Sequence, residues 1–431
     1  MRLIDVEAFL KAKNEAAKVG GIKTTLLTND LPPPSEPYAI LSHRWDVDTK
    51  KEVSYQDINN PNIYSVEMAQ KPGFAKIVKA CSQASSDGYR YIWVDTCCID
   101  KTNSTELSEA INSMYSYYRD AAVCYAYLFD WDSGNEVEHR WESFKHSSWF
   151  KRGWTLQELI ASRTILFFDK DWNHAKVWIK THFVETEFLN TLQDASGIEA
   201  SVLNGVKKLH QVPVAVRMSW ASLRQTGRLE DVAYSLLGIF DVNMAMLYGE
   251  GSKAFLRLQE HIIAQTTDLS IFAWRAPRHF PEHTGILAPD PSFFKGMGSL
   301  RTHHHSLLEL RDFALTNRGV KFNAPLPYNT MSGSFVLPIN HGIVEHANLA
   351  IGLRPIGSDL FVCLRPQVLV ELYDRHMVYP AKNKTNESFH VKTLTKEESQ
   401  LIEDNVLILH DPVDDSPTRE TWYRRVEPAG A

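Results

Sequence analysis

The stretch "GFAKIVKACSQASSDGYRYIWVD", residues 73–95, decides the fold class. Phe74, Ile77, Val78 and Cys81 recur at helical spacing, and Gly88 stops the pattern. The last seven residues are rich in strand formers. The same alternation continues on both sides. "YAILSHRW" (38–45) is a compact apolar run ending in polar residues. "NSTELSEAINSMYSYYRD" (103–120) opens with a capping pair, Asn103 and Glu106, and then repeats Leu107, Ala110, Ile111, Met114 and Tyr118 at helical period. "AVCYAYLFD" (122–130) reads as a strand, "SSWFKRGWTLQELIAS" (147–162) as a short helix behind an aromatic-rich loop, and "RTILFFD" (163–169) as a fourth strand. Alternating strands and helices predict an α/β domain with a parallel sheet flanked by helices.

Beyond about residue 180 the pattern turns helical. "GRLEDVAYSLLGIF" carries Leu229, Val232, Ala233, Leu236 and Leu237 on one stripe, and "GSKAFLRLQEHIIAQ" repeats it with Phe255, Leu258 and Ile262. From about 275, prolines become frequent, and short runs such as "GSFVLPI", "NLAIGLR" and "LFVCLR" are separated by turn signals. This predicts an antiparallel β-rich C-terminal domain. The expected division is an N-terminal extension (1–36), an α/β domain (37–180), a helical segment (181–274) and a β-rich domain (275–431). A length of 431 residues suits two or three domains.

A formal net charge of −6 carries no overall basic footprint, which argues against nucleic acid as a partner. No run of about 18 apolar residues predicts a membrane span, and the charged amphipathic start lacks the core of a signal peptide. Five cysteines, Cys81, Cys97, Cys98, Cys124 and Cys363, fit reduced thiols and a cytoplasmic location. The sequons at Asn103, Asn383 and Asn386 then carry no meaning.

In parallel sheets, ligands bind at the carboxyl ends of the strands. Ser42, His43, Arg44 and Trp45 fall at one such end, and Asp95 at another. Trp154 and Glu158 are one turn apart on the later helix and within reach of the same rim. An ordinary polar strand end and a solvent-facing glutamate are the alternative readings. The vicinal pair Cys97 and Cys98 lacks the second Cys pair that a zinc site requires, so buried thiols are preferred and no metal is expected. "DVDTKKEVSYQD" (46–57) has lysines where a calcium loop needs Asn, Asp and Gly. "YGEGSKAF" (248–255) lacks the core of a phosphate loop, and "HHH" (303–305) reads as a surface loop.

"YAILSHRW", "YIWVDTCCIDK", "ELSEAINSMYSYYRDAAVCYAYL" and "WFKRGWTLQELIA" resemble, in order, the motifs of the fungal heterokaryon incompatibility (HET) domain. HET domains are similar to TIR domains, which are flavodoxin-like; many TIR domains cleave NAD and others act as signalling scaffolds. Ser42 and Arg44 match the Ser-x-Arg strand ending of plant-type TIR domains. Trp154 and Glu158 match their tryptophan and catalytic glutamate. The loop "TCCIDKTNST" departs from the TIR pattern.

The resemblance implies a nonself-recognition protein that triggers programmed cell death. NAD would be substrate and Glu158 catalytic, with no bound cofactor. Chemically, one carboxylate can stabilise the oxocarbenium ion that forms as nicotinamide leaves. Trp154 is a possible stacking surface and Arg44 a phosphate holder. The alternative is a non-enzymatic module that acts by self-association or by pairing with another incompatibility or immune-receptor protein.

Overall fold

The computed structural model describes residues 1–19, 25–28, 36–46, 48–60, 62–134, 137–180, 186–302, 312–324, 326–343, 348–356, 359–372, 377–378, 388–394 and 399. The triple histidine at 303–305 and the sequons at Asn383 and Asn386 lie outside the described residues. The chain divides into two compact units. One comprises Met1–Lys208 with Arg224–Tyr248, and the other Leu209–Leu223 with Gly249–Ala431.

The first unit is built on a six-stranded sheet. Its strands are β1 (Ile4–Asp5), β2 (Tyr38–His43), β3 (Tyr91–Trp93), β4 (Val123–Tyr127), β5 (Thr164–Phe168) and β6 (His174–Ile179). Their spatial order is β1-β3-β2-β4-β5-β6. β2 runs parallel to both β3 and β4, and β4 runs parallel to β5. All six residues of β2 are buried, as suits a central strand covered on both faces. The α/β expectation therefore holds for the four central strands. The edges differ, because β1 and β6 pair antiparallel. β6 returns through a tight turn in which Asp169 Oδ1 accepts the N–H groups of Asp171 and Asn173. Strand–helix alternation does not encode such a hairpin.

The flanking helices are α1 (Val6–Val19), α2 (Pro72–Ser86), α3 (Ser104–Asp120) and α4 (Thr155–Ala161). The Phe9 ring of α1 lies 6.1 Å from Phe74 of α2. α3 begins where the sequence places it: the Asn103 side chain accepts the N–H groups of Thr105 and Glu106. The expected reciprocal half of the capping box does not form. Glu106 instead takes the Arg2 guanidinium and the Asp100 N–H.

The helical stretch beyond 180 is shared between the two units. The long helix expected across 227–240 forms as two single turns, Asp231–Tyr234 and Leu237–Phe240. Leu229 precedes the first turn and is exposed, so it leaves the apolar stripe. Gly238 explains the close packing here: a Cβ at this position would sit 2.2 Å from Tyr115 Cβ on α3.

The second unit contains a ten-stranded sheet that is antiparallel apart from the pairing of Leu360–Leu364 with Phe389–Val391. Phe322 stacks on Phe389 at 5.2 Å and packs edge-on against Phe272 at 5.7 Å, which places aromatic mass toward one edge of the sheet. Among the described residues no helix is long and apolar enough to cross a membrane.

Candidate active site

Ser42 and His43 end β2, and alternation along a strand sends their side chains to opposite faces of the sheet. α4 lies against β2 and brings Glu158 to Ser42. The Ser42 hydroxyl donates to Glu158 Oε2. The indole N–H of Trp149 donates to Ser42 Oγ at 2.9 Å. Trp149, Ser42 and Glu158 thus form one directed hydrogen-bond chain.

All seven residues of α4 are buried, and Glu158 is only 5% exposed, which overturns the reading of a solvent-facing glutamate. Burial pushes its carboxyl up to about 7; the Ser42 hydrogen bond and the Arg152 charge act the other way. Asp95 adds to the upward push, while the Tyr118 hydroxyl favours the anion. The group is therefore poised between its two forms near neutral pH.

Arg224 holds the start of α4. Its Nη1 donates to the Arg152 carbonyl at 2.9 Å and to Thr155 Oγ1 at 3.1 Å. Burial lowers this guanidinium to about 9, and the Glu158 charge opposes the shift. Gly153, one residue before Trp154, permits a tight approach: a Cβ there would lie 2.5 Å from Thr226 Cγ2.

A second group of side chains surrounds His43. Its Nδ1 is 3.9 Å from Asp95 Oδ1 and its Nε2 is 3.9 Å from Glu52 Oε2. Neither His43 Nε2 nor Asp95 Oδ1 has a hydrogen-bond partner. Burial holds the imidazole well below its ordinary value, with the charges of Lys76, Arg152 and Lys101 acting in the same direction. His43 is thus neutral at pH 7. Glu52 is bound by Lys76 at 2.6 Å and accepts the Asp46 N–H at 2.7 Å.

The Trp45 indole donates to Asp95 Oδ2 at 2.7 Å. Lys101 Nζ lies 3.7 Å from the Trp45 ring centroid, and the Arg152 guanidinium carbon 5.0 Å from it.

The structure thus hydrogen-bonds Ser42 to Glu158 and Trp45 to Asp95, and places His43 3.9 Å from Asp95 without a hydrogen bond between them. Arg44 is half-buried, with no side-chain hydrogen bond or ion pair among the described residues. Trp154 precedes α4, and its indole sits against the Asp231 carboxylate, where it offsets the burial that raises that acid. Cys97 and Cys98 are buried, and Cys98 Sγ accepts the Val94 N–H at 3.4 Å.

Sequence reasoning missed Trp149, Arg152, Lys101, Glu52, Lys76, Tyr118 and Arg224. Trp149 and Arg152 stood inside "WFKRGWTLQE", and Lys101 directly after "CCID". Nothing local marked Arg224, which reaches α4 across about 70 residues.

Residues 38–140 match the family described as Heterokaryon incompatibility protein (HET). The matched span begins at β2 and runs past β4, so it holds three of the four central parallel strands and the Ser42–Asp95 rim, while β5, Arg152 and Glu158 lie beyond it. Residues 38–140 of the chain thus form a HET domain. The chain is 44% identical over 260 residues to the vegetative incompatibility protein HET-E-1 of Podospora anserina. That match covers 58% of this chain and 18% of the relative's length. No solved structure matches the chain.

Proposed function

We propose that this chain acts in heterokaryon incompatibility, triggering cell death through a TIR-like NAD glycohydrolase activity centred on Glu158. The observation that carries the reading is a carboxyl raised to about 7, hydrogen-bonded by Ser42 beside the carboxyl ends of the parallel strands. The bond to break joins the ribose C1′ to the nicotinamide nitrogen. Nicotinamide leaves with the bonding electron pair and becomes neutral. The Glu158 carboxylate stabilises the positive charge that grows on the ribose. Water then adds to C1′, and its proton passes to the carboxylate or to solvent. The products are nicotinamide and ADP-ribose. The family match and the incompatibility relative support the biological setting.

One observation favours a second reading. Glu158 is nine-tenths buried and hydrogen-bonded within its own fold, as a polar tie between α4 and β2 would be. In that reading the HET domain acts without catalysis, by self-association or by pairing with another incompatibility protein.

Nicotinamide release from NAD by the purified chain separates the two. Enzymatic function predicts release that falls by about 100-fold or more in Glu158→Gln, with a melting temperature no lower than wild type. Release that is unchanged in a folded Glu158→Gln variant removes Glu158 from the chemistry. Absence of release at every protein concentration favours the assembly reading.

A further inference from the structure

Glu158 chemistry accounts for one carboxylate, its hydrogen-bond donors and the charge of Arg152 acting on it; it leaves Lys101 and the buried Arg152 Nε at the neighbouring rim without a task. We propose that Lys101 and Arg152, gathered at the Trp45 ring, form the seat for the diphosphate of the dinucleotide. This inference rests on the dinucleotide reading above and assigns its anionic part.

The placement is the first support. Trp45 lies two residues beyond β2, and its hydrogen-bond partner Asp95 lies two residues beyond β3. Parallel sheets take ligands at this edge.

The charge balance is the second. Lys76 is occupied by Glu52 at 2.6 Å. Among the described residues no carboxylate lies within ion-pair distance of Lys101 or Arg152. Arg152 Nε is buried and has no hydrogen-bond partner, a costly state that an anion's oxygen would relieve. Lys101 is exposed as a residue, but its ammonium packs at the Trp45 ring, where burial lowers its pKa and the Asp95 charge raises it.

The spacing is the third. Both cations lie within 5.0 Å of one ring centroid, and the Arg152 charge is felt at Lys101, so the two are neighbours at this rim. The indole face attracts each cation and fixes its position. The Trp45–Asp95 hydrogen bond fixes the indole in turn. The guanidinium adds a planar fork suited to phosphate oxygens. The same cations act together on the buried His43, so they sum into one positive field at this edge. Arg44, the phosphate holder that the sequence suggested, is not among the charges acting on His43.

The test is calorimetric titration of the full chain with ADP-ribose, and separately with inorganic pyrophosphate, across a range of salt. The wild-type chain is expected to bind ADP-ribose, more weakly as salt rises. Lys101→Gln and Arg152→Gln should each weaken it roughly tenfold or more. Lys101→Arg should bind as wild type, while Arg152→Lys should lose affinity with its fork. Lys101 is exposed, so Lys101→Gln decides the question even if Arg152→Gln misfolds.

A wild-type chain that binds no ADP-ribose, or a folded Lys101→Gln variant that binds it as tightly as wild type, overturns the proposal. The hydrolase reading fails separately. Cation-dependent ADP-ribose binding without nicotinamide release keeps this site and removes that activity. Nicotinamide release with unaltered ADP-ribose affinity in the variants does the reverse.

Discussion

The Ser42 hydroxyl donates to the Glu158 carboxylate across 116 positions of sequence, joining the end of β2 to the middle of α4. Both partners are buried, so this bond operates in a medium where charge is expensive. It is one of the influences that hold Glu158 near 7 rather than higher.

Ser42→Ala removes a hydrogen bond to the charged form of Glu158. A bond of that kind contributes about 1.5–3 kcal/mol, which corresponds to roughly one to two pH units. With the carboxylate as the active form, nicotinamide release in wild type should rise with pH through a limb centred near 7. In Ser42→Ala the limb should move to higher pH, with lower activity at neutral pH. A pH–rate profile with an unmoved limb would mean that Ser42 does not tune Glu158.

Trp149 and Trp154 offer a contrast between resemblance and geometry. The resemblance to TIR domains points to Trp154, yet the structure places its indole against Asp231 and gives the Ser42 hydrogen bond to Trp149. Trp149→Phe keeps the ring and loses one neutral hydrogen bond, about 1 kcal/mol, so activity should fall roughly fivefold. Trp154→Phe should stay within about twofold of wild type by the same scale. Equal losses in both variants, measured as nicotinamide release, would restore a role for Trp154.

The sequence made much of this legible, for reasons that differ residue by residue. The four central strands were readable because each is a short apolar run between helices of clear period, and β2 is buried throughout. Glu158 stood out through its motif, but the apolar run Leu156, Leu159 and Ile160 left the polar side of α4 free to face solvent or core. Only the packing of α4 against β2 shows that no solvent side exists. Asp95 was readable as a strand end, while its contact with Trp45 was not, because pairing across strands needs their spatial order. Arg224 was invisible because its effect on α4 acts over long sequence separation.

Two buried titratable groups give opposite pH dependences of stability. Glu158 is raised from 4.5 to about 7. Its neutral form is the one the fold accommodates, so its contribution is fully present below pH 4.5 and is lost as pH rises through about 7. The loss is roughly 3 kcal/mol. Glu158→Gln should therefore stabilise the protein at pH 8 and have little effect at pH 4.5. His43 is lowered well below 6.5, so its contribution is present above pH 6.5 and is lost as pH falls through the folded value. A His43→Asn variant should lose less stability on acidification than wild type. Denaturant unfolding between pH 4.5 and 8 reads both slopes. A Glu158→Gln effect that is flat across that range would show that the carboxyl is not raised.

Gly153 tests whether the placement of α4 matters to Glu158. A Cβ at 153 would lie 2.5 Å from Thr226 Cγ2 and 3.2 Å from Ser235 Oγ. The Gly153 N–H also donates to the Gln225 carbonyl at 2.8 Å, so the backbone has little room to retreat. Gly153→Ala should cost about 1–3 kcal/mol, the usual range for overpacking, and should shift the first turn of α4. Gly227 is the control: no atom lies within 4 Å of an added Cβ, so Gly227→Ala should stay within about 0.5 kcal/mol of wild type. Partial loss of stability in Gly153→Ala should bring a larger loss of nicotinamide release, because Glu158 sits one turn into the displaced helix. If Gly153→Ala melts lower than wild type yet releases nicotinamide at the same rate, the position of α4 does not control the chemistry.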